Sequence, residues 1–455
     1  MNTQDISRKK TERRLRLSPA QTIAIGFAII IFIGAVLLSL PISNRDGQAI
    51  PFINALFTSV SCTCITGLSV YDIYSQFTGF GHVVMLLLVQ IGGLGFMTVA
   101  VMFSFATKKR IGLRERTFLS EAVSSSQLGG IVRLTRRILL GTAIFELAGA
   151  LLLAVRFVPK FGLWRGLWYG LFHSITAFCN AGFDLMGYLE PGSSLTLFAG
   201  DVMVNIVIML LIIIGGIGFA VWSDLLDNRW HWKKYSLHTK LILTATALFI
   251  AIPAVVFFVT ERDASMAGMS VPQRMLSSLF HSVSTRTAGF AGVDNGALSG
   301  SGKVLTMLLM FVGGAPGSTA GGIKISTFVV MLLAISCYIR GKADVNLFDR
   351  RLESSVIRRA FCTVLFNLCI TVAGIFIITA LQPLPLEDVL YECFSAIGTV
   401  GLSTGITAEL CGVSKAVIML MMYAGRVGSL AVLLTASEPR TTDKLRNPEG
   451  KIIIG

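Results

Sequence analysis

Apolar and polar positions alternate along this chain on the scale of whole helices. Apolar runs at 21–40, 138–157, 240–260 and 361–381 are each followed by a short mixed segment. A second apolar run then comes at 82–104, 201–222, 303–338 and 414–436. Crossing a bilayer as an α-helix takes about 20 apolar residues, so the pattern predicts an all-α polytopic membrane protein with eight spans. One run is too long to be a single span. Lys303 to Ile339 is 37 residues, about 55 Å as a straight helix against a hydrocarbon core of roughly 30 Å. It is interrupted at 312–324 by VGGAPGSTAGGIK. Backbone at membrane depth must satisfy its own hydrogen bonds, so a glycine-rich break is tolerated only where it is buried in protein or lines a watery cavity. The break predicts a pore.

The mixed segments repeat. LFTSVSCTCITGLS, LFHSITAFCNAGFD, LFHSVSTRTAGFA and LYECFSAIGTVGLS share an aromatic start, small hydroxyl or thiol residues, and a glycine: Gly67, Gly182, Gly289 and Gly401, spaced by 115, 107 and 112 residues. The second apolar runs repeat as well, with IGGLGF, IGGIGF, VGGAPG and AGRVGS. Each unit is span, short segment, span, so all four copies have the same topology and are related by an axis along the membrane normal. Four parallel copies around such an axis enclose a path. The short segments are too brief to cross and are expected to be re-entrant pore loops.

Composition narrows the class. The chain is 53% hydrophobic and 14% charged, with mean hydropathy +0.73, outside the range of soluble enzymes. A net charge of +14 raises nucleic acid as a partner, but charge position argues against it. With the N-terminus inside, the inner segments (1–20, 107–137, 223–240, 339–360, 437–455) hold 28 of the 39 Lys and Arg, the positive-inside pattern. The outer segments are rich in carboxylates, among them Asp46, Asp72, Asp184, Glu190, Asp294, Glu387, Asp388 and Glu392, and should attract cations. The partner is therefore the lipid bilayer and not nucleic acid. Both termini are expected in the cytoplasm, and the run from Gln21 to Leu40 is expected to be an anchor and not a cleaved signal. The eight cysteines lack metal-site spacing, no phosphate loop is present, and no span carries a catalytic set. The chain is expected to be no enzyme and to hold no cofactor.

A cation entering such a pore exchanges its water shell for oxygens, and a ring of backbone carbonyls supplies them without a trapping charge. Aligned on the glycines, the candidate ion-binding positions are Ile65, Thr66, Gly67; Asn180, Ala181, Gly182; Thr287, Ala288, Gly289; and Thr399, Val400, Gly401. The last copy, TVGLS, nearly spells the TVGYG filter of potassium channels. Short helices before each strand, such as Phe172 to Phe178, would aim their negative ends at the cavity. Arg286, three before Gly289, is expected to turn behind the strand and pair with a carboxylate or carbonyls.

Four span, loop, span units, a glycine at each filter position and the glycine-rich break together resemble the Trk, Ktr and HKT superfamily of potassium transporters, over about residues 20–440. With its short N-terminus and eight spans the chain is most similar to the membrane subunits of Ktr systems, the KtrB type. The resemblance implies potassium as the transported ion and leaves open whether sodium couples or activates. It implies a homodimer on a cytosolic ring of nucleotide-binding RCK-type (KtrA-like) subunits, in the cell membrane. It also implies that 312–324 is an intramembrane gate: Gly313, Gly314, Pro316, Gly317, Gly321 and Gly322 match, and Ser318 and Thr319 satisfy freed backbone groups or contact ions. Arg426 reads as a partner of that gate, or as an anchor to a buried carbonyl.

The expected layout is then a cytoplasmic N-terminus at 1–20; pore repeats at 21–104, 138–222, 240–338 and 361–436; cytoplasmic linkers at 105–137, 223–239 and 339–360; and a cytoplasmic C-terminus at 437–455. The pairs Gly92, Gly93 and Gly215, Gly216 are expected to be close-packing sites, Glu146 an interhelix hydrogen-bonding group or else an ion relay, and His173 and His281 packing or interface residues. The basic stretch KKRIGLRER from Lys108 is read as a topology determinant and lipid contact.

Overall fold

A computed structural model of the chain describes residues 19–95, 131–229, 231–342, 344–348 and 350–428. The basic N-terminus, KKRIGLRER and 437–455 lie outside them. Four long apolar helices come first in each repeat: α1 (Pro19–Ser39), α4 (Ile131–Phe161), α8 (Leu237–Thr260) and α12 (Ser354–Leu381). In α1, Phe27, Ile31, Ala35 and Leu38 recur at helical spacing and are buried, while Ile25, Ile29, Phe32 and Ile33 are exposed. A membrane helix does this when one stripe packs on protein and the rest meets lipid. All four pass as spans by length and apolarity.

Each long helix is followed by a shorter, largely buried one: α2 (Phe52–Thr63), α5 (Leu163–Phe178), α9 (Val271–Ser284) and α13 (Leu386–Gly398). They include the short helices expected before each strand, and α5 begins nine residues before the expected start at Phe172. Small hydroxyls let them approach the long helices. Ser59 donates to Ile31 O (2.7 Å), Ser174 to Glu146 O (2.6 Å) and Ser282 to Ile250 O (2.8 Å).

The inner helices depart from expectation. The run at 201–222, read as one span, is two helices, α6 (Val202–Gly216) and α7 (Phe219–Asn228), bent by 94°. The third is broken as predicted, into α10 (Gly300–Phe311) and α11 (Ile325–Ile339). The first, α3 (Gly79–Leu94), and fourth, α14 (Gly412–Val427), are described only as far as their own glycine ends. Gly95, Gly218 and Gly428 hold the same place in three repeats, with φ of 79°, 94° and 96°. That conformation ends an α-helix and is open to glycine at little steric cost. A two-residue hairpin pairs Asn346 with Arg351 and Leu347 with Arg350.

The buried cores show the order of the repeats. One cluster joins the first and second, through residues such as Val89, Phe172 and Phe178. Another joins the second and third through Ile217, Val221, Ile242 and Ile325. A third joins the third and fourth through Met310, Tyr391 and Val400, and a fourth returns from fourth to first through Val60, Cys64, Ile397 and Met422. The repeats close a ring. The chain is predominantly helical.

Candidate functional site

Each pore helix ends in the same sharp turn. Ile65, Asn180, Thr287 and Thr399, two residues before the repeat glycine, have φ of 54°, 57°, 65° and 51°. The left-handed region is uncommon for non-glycine residues and costs of order 1–3 kcal/mol each, so its recurrence at four equivalent positions marks a geometry the fold imposes. The next residue's N–H returns to the helix: Thr66 to Ser61 O (2.8 Å), Ala181 to Thr176 O (2.8 Å), Ala288 to Ser284 O (3.0 Å) and Val400 to Ser395 O (2.9 Å). In the third repeat this closes over one residue fewer. LFHSVSTRTAG has eleven residues where the others have twelve, which displaces Arg286 from the register that alignment on glycine gave it. Arg286 turns behind the strand and is 6% exposed. Its polar contact is the Thr246 hydroxyl of α8, at 3.5 Å, and not the expected carboxylate or carbonyl.

The four glycines meet. A methyl group added at Gly67 would stand 2.6 Å from Ala181 O and 3.2 Å from Gly182 Cα. At Gly182 it would stand 2.8 Å from Ala288 O and Gly289 Cα. At Gly289 it would overlap Val400 O, with Gly401 Cα at 3.3 Å; at Gly401 it would overlap Thr66 O, with Gly67 Cα at 2.9 Å. The contact runs from the first repeat to the second, third, fourth and back, so the strands converge on one axis. Two hydroxyls that sequence reasoning passed over brace them: Ser61 accepts from Gly67 N (3.1 Å) and Ser395 from Gly401 N (3.0 Å). The recurring hydroxyl one helical turn and a half before each glycine was the available signal.

Above the ring lies a cavity of about 500 Å³ that all four glycines line, together with Asp184, Glu190 and Asp294. Burial pushes the Asp184 carboxyl up to about 6. Glu392 is buried beside this mouth and accepts from the hydroxyls of Ser403 (2.8 Å) and Thr407 (2.5 Å). It occupies in the fourth pore helix the place of His173 and His281. Those histidines pack as expected: His173 against Tyr169 O (2.7 Å) and Phe157, His281 against Thr306 and Phe257.

Below the ring sits the 312–324 loop. Gly313 N donates to Ile323 O (2.8 Å) and Ile325 N to Gly314 O (3.0 Å), so the loop closes on its own ends. Gly313 lies against Thr287, and added side-chain atoms at Gly321 and Gly322 would meet Thr399 and Gly398 O. Ala315 N and Thr319 N donate to Gly216 O (2.9 Å) and Gly215 O (3.2 Å) at the α6–α7 elbow, and Phe219 N donates to Gly317 O (2.8 Å). The Thr319 hydroxyl caps Phe178 O at the end of α5 (3.0 Å), and Ser318 donates to Ala315 O (2.7 Å). Pro316 lies at the elbow face, its carbonyl near Gly218. Arg426 reaches across from α14, donating to Thr319 O (2.6 Å), Gly92 O (2.5 Å) and Gly93 O (3.0 Å). It thus ties carbonyls of the loop and of α3 together. Lys324, absent from the expected site, donates to Ala320 O (2.7 Å). The paired glycines are close-packing sites: Gly92 abuts Thr63 O and Gly215 abuts Phe178 O. Glu146 accepts from Gln90 (3.1 Å) and touches Cys179, an interhelix bond that sits nearer the ring than its place on an outer helix implied. Among the described residues no cluster of His, Cys, Asp or Glu has metal-site geometry.

Comparison with known proteins agrees with this architecture. The family model described as TrkH, cation transport protein, matches residues 4–445. The chain is 40% identical to the Ktr system potassium uptake protein B of Bacillus subtilis over 99% of its length and 100% of the relative's. It is 37% identical to the potassium/sodium uptake protein NtpJ of Enterococcus hirae, over 98% and 99%. Among solved structures, the crystal structure of the potassium transporter TrkH from Vibrio parahaemolyticus superposes with a TM-score of 0.70 at 17% identity, covering 93% of this chain and 86% of that one. These relatives are transport proteins and not enzymes. A ring of four helix–loop–helix repeats closed on converging glycine strands, in a chain matched from end to end, leads to one conclusion: the chain belongs to the TrkH family of cation transport proteins.

Proposed function

We propose that the chain is the membrane subunit of a potassium uptake system, in which potassium sheds its water onto carbonyls of Thr66, Ala181, Ala288, Val400 and their neighbours. The observation that carries the reading is the mutual contact of Gly67, Gly182, Gly289 and Gly401 beneath an acid-lined cavity. Backbone oxygens around an axis replace hydration for a monovalent ion, and the negative ends of α2, α5, α9 and α13 add to the field. Asp184, Glu190 and Asp294 concentrate cations at the mouth. The 312–324 loop is the gate, held shut by Arg426, Lys324 and the elbow contacts. The protein works in the cell membrane with both termini in the cytoplasm, as a homodimer on a cytosolic nucleotide-binding RCK-type ring that moves this gate. The similarity to a relative named for potassium and sodium uptake favours a role for sodium as coupling or activating ion. Rubidium uptake into liposomes containing the purified chain, intact and with residues 314–320 deleted, tests the reading. Uptake that potassium competes away supports it, a dependence on a sodium gradient assigns coupling, and no uptake above empty liposomes by either form overturns it.

A further inference from the structure

We infer that the chain binds one anionic phospholipid at the elbow of its second inner helix, an acyl chain filling a cavity there and the phosphate meeting Arg133 and Arg137. The cavity, of about 480 Å³, lies between α4, α6 and α7, within the range that small-ligand pockets occupy. Its inner wall is the elbow itself, Ile214, Ile217, Phe219 and Trp222. Its mouth opens beside Leu140, Ile144 and Leu226, which are 55%, 64% and 66% exposed on the apolar surface of the ring. An occupant entering from that side comes out of hydrocarbon.

Charge at one end selects the headgroup. The cavity is apolar except at the start of α4, where Arg137 and Ser223 line it. Arg137 donates to the Ser223 hydroxyl (2.9 Å) and to Asp227 (2.9 Å). Arg133 stands exposed one turn earlier on the same face, and Arg136 is exposed beside it. Asp227 offsets one of these charges and leaves a net positive rim. An acyl tail inside with a phosphate at that rim satisfies both halves, and a zwitterionic lipid uses the rim less well. The wall also backs the gate contacts, because Gly215, Gly216 and Phe219 bond to Thr319, Ala315 and Gly317. An occupied cavity therefore props the elbow against the 312–324 loop.

Trp222 reports on the cavity directly. In full-length protein with Trp164, Trp168, Trp230 and Trp232 changed to Phe, reconstituted in phosphatidylcholine vesicles, Trp222 emission is followed as brominated phosphatidylglycerol or brominated phosphatidylcholine is added. The expected result is quenching at a mole fraction of the anionic lipid on the order of tenfold lower. The preference should vanish in Arg133→Gln and in the double variant Arg137→Gln/Asp227→Asn, the second of which keeps the polar pair uncharged. Equal quenching by the two lipids overturns the headgroup assignment, and quenching by neither overturns the cavity assignment. Neither readout depends on ion flux, so this inference stands or falls apart from the transport reading.

Discussion

Gly401 has φ 96° and no room for a methyl group against Thr66 O. Replacing it therefore acts on the ring twice, by about 1–3 kcal/mol of backbone strain and by moving a carbonyl. Gly401→Ser and Gly67→Ser are expected to lower potassium over sodium discrimination in liposome flux, and unchanged selectivity in both would remove the ring from the conduction path. Arg426 makes three charge-assisted bonds to carbonyls of the loop and of α3. Such bonds are each worth about 1.5–3 kcal/mol, so Arg426→Gln should raise basal flux roughly tenfold, whereas lower flux would make the arginine a support of the open pore. At the mouth, burial raises Asp184 to about 6. Its charge is present above that pH and lost as pH falls through it, so potassium uptake at low external potassium should fall between about pH 7 and 5. Asp184→Asn should flatten that profile, and a profile that keeps its shape would exclude this carboxyl. The glycines, Arg426 and the acidic mouth were legible because residue type alone carries their physics. Ser61 and Ser395 showed in the sequence only as a recurring hydroxyl, without their partners, and Lys324 did not show at all, since serine and lysine take partners set by the fold.

Among the elements, the inner helices carry the main lesson. The third was legible as broken because VGGAPGSTAGGIK is too polar, too flexible and too long a detour for one span. The second was not. IGGIGF is embedded in strongly apolar residues, and glycine pairs there also serve helix packing, so nothing local announces a 94° elbow. The glycine at positive φ is the cause, and it recurs at Gly95 and Gly428. The shortened third pore segment stayed hidden because alignment on the glycine absorbs a deletion that only the return bond from Ala288 to Ser284 exposes. Because the elbow holds the 312–324 loop through Gly215, Gly216 and Phe219, Gly218→Ala should disturb the proposed gating more than folding. A methyl group there would meet Pro316 O at 2.9 Å. The expected outcome is raised basal rubidium flux from a protein that still elutes as a single species in detergent. A fully aggregated variant would instead make this glycine a folding requirement.

For the whole molecule, four tandem units bury four interfaces and close a ring, so the path is made where no single repeat could make it. Apolar periodicity and the repeated glycine were enough to read that arrangement from the sequence, because membrane backbone has few ways to satisfy itself. The order in which repeats touch, and the loop seated beneath the ring, came from packing. Deleting 314–320 should give flux without any cytosolic partner, and a closed pore in that variant would contradict the gate assignment. The account's central claim is that main-chain oxygens from all four repeats together hold the ion. Anomalous scattering from crystals grown in rubidium tests it most directly: the account predicts a peak on the axis within coordinating distance of the carbonyls of Thr66, Ala181, Ala288 and Val400, and rubidium bound only away from that axis would contradict it.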